Sequence, residues 1–345
     1  MRTASLLLIC VTACQATLPN VRPFADETAS LYEANGVESE EVLARYDTSI
    51  DLAAALLRRP RPDPAHAASI ESIKTRLEDG RKRFEASSAV FDAVLGQAVV
   101  YSDQLAELAA AGASGSEAAG SLAGTINGFG KLTVAGELIT GPISSVLSRI
   151  ADFTTRIQAR KSLREAAHVA EGAVAAIDTA LTEIHREQLQ RLVSSLYSDA
   201  DQLLLFEAGP SLMGYYREAN GRRDLFYRRA LLALQLNDDG ISGFCRDPET
   251  GELDEDNCIN ARELEALREV EGLLSALTPE AEAYQARRDE LRAWRARRRA
   301  NGARIVRALS SWENEHRRVV EALEDGTGAS ASSLKAILEG ISSPD

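Results

Sequence analysis

FDAVLGQAVVYSDQLAEL, residues 91–108, decides the fold class. Its apolar positions fall at Phe91, Val94, Ala98, Tyr101, Leu105 and Leu108, in steps of 3, 4, 3, 4 and 3. A half-buried strand would return to one face every second residue, whereas a helix returns every three or four. The alternation of threes and fours is a heptad seam, the pattern by which one long helix packs along another. Upstream, ESIKTRLEDGRKR at 71–83 is strongly charged, as a solvated helix surface would be. Asp63 can cap this helix and Pro64 can occupy its first turn, so one helix is expected from there to about Ala111.

The same reading extends in both directions. Residues 24–59 are helical in pattern, with Gly36 as a candidate break, and RRPRPDP at 58–64 is a proline-rich corner. Pro142 opens a second long helix expected to run to about Ala208, with Val174, Ile177, Leu181, Ile184, Leu192 and Leu196 as its stripe. Gly209-Pro210 breaks the chain. A helix over 211–236 follows, carrying Tyr215, Tyr216, Phe226 and Tyr227. Beyond an acidic loop at 237–259, helices are expected at 260–276, at 279–325 (started by Thr278-Pro279) and at 331–341. Ala, Leu, Glu and Arg dominate the composition, and all four are strong helix formers. The expectation is an all-α fold: a bundle of long antiparallel helices with coiled-coil-like packing and one disulfide-stapled acidic loop. By organisation the chain divides into 1–13, 14–23, 24–208 and a C-terminal helical region 209–345 that could belong to the same domain.

The first 14 residues, MRTASLLLICVTAC, have a separate logic. Arg2 supplies a positive charge, and Ala4–Val11 is an apolar run too short for a stable membrane span. The run ends in Val11-Thr12-Ala13-Cys14: an aliphatic residue, two small residues and a cysteine. This resembles the lipobox of bacterial lipoproteins. The resemblance implies diacylglycerol on the Cys14 sulfur, cleavage before Cys14, and acylation of the new amino group. Residues 1–13 would then be a signal peptide and 14–23, with Pro19 and Pro23, a lipidated tether. Several acyl chains on one residue hold firmly where a single chain holds marginally. Gln15 in place of Asp implies outer-membrane sorting, so the resemblance implies a lipid-anchored body in the periplasm. The other reading of the same residues is an ordinary cleaved secretory signal.

With 39 Lys and Arg against 52 Asp and Glu, the formal charge is −13, which argues against nucleic acid as the main partner. Cys245 and Cys258 bracket the loop CRDPETGELDEDNC. In an oxidising compartment such a pair suggests a disulfide; a metal or redox pair is the alternative, but the spacing is not C-x-x-C and no histidine lies nearby. The loop is rich in carboxylates, yet the EF-hand order fails because Gly251 and Glu252 stand at its fifth and sixth positions.

Arg287, Arg288, Arg292, Arg295, Arg297, Arg298, Arg299, Arg304 and Arg307 crowd one helix around Trp294, against only Asp289 and Glu290. A basic helix with an aromatic can lie on an anionic lipid surface, with Arg287, Arg288, Arg292, Trp294, Arg295, Arg298 and Arg299 as the contacts. It can equally be a solvated helix with internal ion pairs. Gly120, Gly124 and Gly128 repeat every fourth residue, a spacing that permits close helix approach. They lie in 109–148, which carries only Glu117, Lys131 and Glu137 as charges and is similar, in a general sense, to the apolar hairpin of helical pore-forming toxins.

Catalytic patterns fail. Thr125 and Leu132 stand where a P-loop requires Gly and Ser/Thr around Gly130-Lys131. Ser332-x-x-Lys335 lacks the partner motifs of penicillin-binding enzymes. His66, His168, His185 and His316 are far apart in sequence, and His316 falls on the apolar stripe Ile305, Leu309, Trp312, Val319, Leu323. No metal or cofactor pattern is found. The expected role is therefore a non-enzymatic envelope scaffold or interaction module with a protein partner, anchored to the membrane by lipid. A membrane-active protein, using 109–148 or 287–307, is the alternative.

Overall fold

The structure, a computed structural model, describes residues 20–59, 64–112, 115–131, 142–209, 212–235 and 261–325. Among these the chain is all-helical, with no strand. The elements are α1 (Arg22–Leu57), α2 (Pro64–Ala110), α3 (Ser116–Lys131), α4 (Pro142–Gln158), α5 (Leu163–Glu183), a π-helical segment (Ile184–Leu189), α6 (Gln190–Ala208), α7 (Leu212–Gln235) and α8 (Ala261–Asp325). Helices of 36, 47 and 65 residues far exceed the average of about 11–12.

The described residues fall into two compact units. The first lies within Met1–Arg45, Asp79–Ser194 and Arg297–Asp345, the second within Tyr46–Glu78 and Ser195–Ala296. Each unit draws on residues from both sides of Gly209. In the first unit the seam expected of α2 is the core: Phe91, Val94, Ala98, Tyr101 and Leu105 are buried, and Leu108 is half-buried. They join Phe24 and Leu31 of α1 and Ile305, Leu309, Trp312, Val319 and Leu323 of α8 as buried side chains. Each large apolar side chain so buried contributes roughly 1.5–3 kcal/mol. α3 packs on α4 and α5, and α4 on α5. The second unit buries Tyr46, Leu56, Ile73, Leu77, Leu196, Leu203, Tyr284, Leu291 and Trp294.

Four boundaries differ from the sequence expectation, each for a physical reason. α1 is continuous through Gly36, where an added Cβ would meet nothing within 4 Å. The helix expected over 142–208 is broken at 159–162. Continuing the buried series Ile150, Thr154, Ile157 would place Lys161 and Arg164 inside; the chain turns instead, and burial resumes at Leu163. Ser162 caps the restart by accepting from the Glu165 N–H at 3.2 Å, while Lys161 N donates to the Glu165 carboxylate at 3.3 Å.

Further along, buried positions step by four at Leu181, His185, Leu189 and Val193. That is the wider turn of the π segment, whose extra residue shifts the seam so that Leu192 is only half-buried. Finally, α8 runs through Pro279 without stopping. Proline removes the N–H that would reach the Ser275 carbonyl. Ser275 and Pro279 both lie on the exposed side, where water can serve the freed carbonyl, and Thr278 Oγ1 donates to the Leu274 carbonyl at 2.6 Å.

The glycine repeat is also corrected. Gly120 and Gly124 are exposed with open space around them, so no helix backbone approaches there; only Gly128 faces a neighbour, the Gln97 side chain. α3 instead buries Ala119, Leu122, Ala123, Ile126 and Phe129. Gly112 and Gly115, with φ of 62° and 98°, shape the turn before it. No described helix is long and apolar enough to cross a membrane.

Candidate functional site

The phase of α8 sorts its arginines. Leu291, Trp294, Arg298, Asn301, Ile305, Ala308, Trp312, Glu315 and Val319 form one buried seam in steps of three and four. Trp294 and Arg298 are thus core residues, only 4% and 5% exposed, and neither can lie on a lipid surface as the sequence suggested. In the second unit Arg287 pairs with Glu207, and Arg288 pairs with Asp201 at 2.8 Å. The Asp201 hydrogen bond raises the Arg288 pKa further. Arg292 pairs with Asp289 at 3.0 Å, and Arg295 lies over the Tyr197 ring with its guanidinium carbon 4.2 Å from the centroid. Arg299 is exposed in the first unit. Most of the candidate anionic-surface contacts therefore already have partners inside the chain.

Arg298 is the centre of the densest polar cluster in the first unit. It pairs with Glu38 and Glu41, each at 2.7 Å, and its Nε has no hydrogen-bond partner. Asn301 donates to Glu38 as well. Burial raises the Glu38 pKa despite the Arg298 charge that opposes it. Next to it, Asn35 donates to Asp92 at 2.7 Å and Ser88 donates to Ser39 at 2.7 Å. Burial raises Asp92 as well, against the Asn35 and Ser88 hydrogen bonds that lower it. His185 closes this region: its Nδ1 is buried without a partner, and burial followed by the Arg186 charge lowers its pKa to about 4. α8 comes very close here, since a Cβ on Gly302 would stand 2.9 Å from the His185 ring and overlap Gln190.

His316 is the other buried histidine. Burial and then the Arg317 charge lower its pKa to about 3, so the ring is neutral. Tyr101 Oη lies 2.6 Å from its Nε2, and we assign the phenol as donor to a ring protonated at Nδ1. Burial, with the Glu171 charge second, raises Tyr101 well above its ordinary value, which keeps that proton in place. Trp312 completes the layer by donating to Thr28 Oγ1 at 3.0 Å and stacking on Phe24 at 6.1 Å. Tyr101 and His316, and Trp312 and Thr28, hold each other. Of the remaining histidines, His66 packs on Phe206 and His168 meets Glu171 at the surface.

One concavity of the first unit is different. It measures about 660 Å³ and is walled by four arginines: Arg186 from the π segment, and Arg307, Arg317 and Arg318 from α8. Glu321 is the carboxylate in its wall, with Ser310, Ser311 and Asn314 between. Sequence reading singled out only Arg307 of these four, not Arg186, Arg317 or Arg318. The available signal was the i, i+3, i+4, i+7 recurrence of polar residues at 307, 310, 311 and 314, opposite the seam. Among the described residues no group of three or more metal-ligating side chains could hold an ion. Cys14, Cys245, Cys258 and the acidic loop 237–259 lie outside the described residues.

No family model matches the chain, and neither a curated protein nor a solved structure matches it.

Proposed function

We propose that this chain is a lipid-anchored envelope protein whose helical body acts as a non-enzymatic scaffold for protein contacts. The observation that carries the reading is the run from Ala4 into Val11-Thr12-Ala13-Cys14. It has the apolar length, the small residues and the cysteine that lipid attachment and cleavage require. The body's character supports the scaffold part. Its helices are unusually long, and the buried Arg298 and His316 are paired within the chain. Long helices side by side offer extended surfaces rather than a deep polar cavity. In this reading the helices form an antiparallel bundle, Cys245 and Cys258 are joined, and Gln15 directs the protein to the outer membrane with its body in the periplasm.

The test is metabolic labelling of the full chain with a palmitate analogue in a Gram-negative host, with mass analysis of the mature N-terminal peptide. The expected product begins at Cys14 and carries acyl chains, and Cys14→Ser abolishes both label and membrane retention. An unlabelled mature chain, or a Cys14→Ser chain that still retains label, refutes the anchor.

A further inference from the structure

We propose that the arginine-walled concavity of the first unit is a binding site for a phosphate-type oxyanion, centred on Arg186 and Arg307. This concerns residues outside the stretch expected to meet lipid, apart from Arg307, and it does not depend on lipidation of Cys14. Arg317 and Arg318 are committed to Glu313 at 3.0 Å and Glu315 at 2.7 Å. Arg186 and Arg307 differ: among the described residues neither has a hydrogen bond or an ion pair. Two guanidinium forks that face one hollow without carboxylate partners suit an anion that can accept from both.

Arg186 stands in the wider turn of the π segment. Its neighbour His185 meets α8 at Gly302, so Arg186 enters the hollow at the end where Val306 and Arg307 stand. Ser310 lies one turn further on, its hydroxyl donating to the Val306 carbonyl at 3.3 Å, and Asn314 lies midway along the wall, one amide hydrogen donated to the Ser310 carbonyl at 2.9 Å and the other free. Glu183 and Glu187 flank Arg186 on its own segment, and Glu187 is bound to Arg191. Glu321 is 14 residues beyond Arg307, about 21 Å along the helix and more than a Debye length of about 8 Å away. Glu313 is bound to Arg317. Asp178 is buried, and it feels Arg186 only as the smallest of the influences on its carboxyl, after burial and Glu313.

Two guanidinium forks match the several acceptor oxygens of a phosphate better than the two of a carboxylate. The hollow is far larger than one phosphate and admits the group it is attached to. That phosphate could belong to a lipid headgroup or to a free solute, and the chemistry is shared.

The experiment is calorimetric titration of the full chain in nonionic detergent with three probes. These are inorganic phosphate, glycerophosphoglycerol (the headgroup of an anionic lipid) and the zwitterionic glycerophosphocholine. The doubly substituted Arg186→Gln, Arg307→Gln chain should bind the phosphate probes at least about tenfold more weakly, with unchanged helical circular dichroism. Arg297→Gln, an exposed arginine outside the hollow, should change nothing. Tighter binding of glycerophosphoglycerol than of phosphate assigns the site to a headgroup, and the reverse order assigns it to a free phosphate. If neither phosphate nor glycerophosphoglycerol binds, if glycerophosphocholine binds as well as the tighter of those two, or if the double substitution leaves affinity unchanged, the site is refuted.

Discussion

Replacing Arg298 by Met tests the buried charge cluster quantitatively. The substitution keeps most of the side-chain volume and removes the charge that faces Glu38 and Glu41. Glu41 is half-exposed and can turn to water; Glu38 is largely enclosed and cannot. Burial already raises the Glu38 pKa with Arg298 present. Without Arg298 the carboxylate is stranded, and removing one partner of such a pair costs about 3–5 kcal/mol. A second argument caps the figure. A stranded carboxylate can escape by taking a proton, and at pH 7 protonating a group of ordinary pKa 4.5 costs about 3.4 kcal/mol. The expected loss at pH 7 is therefore about 3 kcal/mol. It should shrink by about 1.4 kcal/mol for each pH unit toward 5, because the escape becomes cheaper. Adding Glu38→Gln should recover most of the loss, since the amide needs no counter-charge. The assay is urea unfolding followed by Trp312 fluorescence in a Trp294→Phe background, at pH 7.0 and 5.5. A loss below 1 kcal/mol at pH 7, or one that does not change with pH, would show that Glu38 is not desolvated and that the cluster is peripheral to stability.

His316→Gln should be destabilising at pH 7, and the difference from the parent should narrow by on the order of 2–3 kcal/mol as pH falls from 6.5 to 4.5. The sign follows because the folded His316 stays neutral to about 3 while the unfolded one protonates near 6.5, so stability present above 6.5 is lost below it. Asp178 works the other way. Its folded carboxyl takes up a proton near 6 and the unfolded one near 3.8, so Asp178→Asn should lose less stability, relative to the parent, at neutral pH than at pH 4.5. Gly302→Ala should cost about 1–3 kcal/mol, since the new methyl would meet Gln190 and the His185 ring, whereas Gly36→Ala, in open space, should gain about 0.5–1 kcal/mol; chemical denaturation ranks the two. Gly209→Ala should cost about 1–2 kcal/mol, because φ there is +86°, and a thermal shift no larger than that of Gly36→Ala would count against it.

Helix content was legible wherever apolar residues recur by threes and fours, because that recurrence is the packing surface itself. Phe91 through Leu105 lie inside as their spacing requires. The breaks were harder, since they depend on where a seam ceases to be continuable. At 158–163 the sequence does hold the signal: the next seam positions are Lys161 and Arg164, and Ser162-x-x-Glu165 is a helix-start pattern. At Pro279 the sequence misleads, because proline disfavours a helix interior but does not always end it, and here the freed Ser275 carbonyl lies on the exposed side. The π segment is legible only after the fact, as three consecutive steps of four from Leu181 to Val193. Arg298 was hidden by its residue type. Counted as a surface charge it joined a basic face, although its register, four residues after Trp294 and seven before Ile305, placed it in the core.

The same register explains how one arginine-rich helix carries three different chemistries. Arginine's stem is apolar and its head carries a fixed charge, so its role follows from what faces its position on the helix. On the seam, Arg298 is enclosed and must bring counter-charges in with it, which fixes Glu38 and Glu41 against α8. Beside the seam, Arg287, Arg288 and Arg295 reach acids or a ring on α6 and add little net charge to the surface. Opposite it, Arg307 meets neither. Its neighbour across the hollow, Arg186, stands in the π turn, beyond which the seam of α6 is shifted by one residue. Restoring regular α-helix by deleting Gln188 should return Leu192 to the seam and withdraw Arg186 from Arg307. Phosphate binding should then fall as far as in the doubly substituted chain, with helix content retained. If binding survives the deletion, Arg186 is not held in place by the π turn and the link from register to site is wrong.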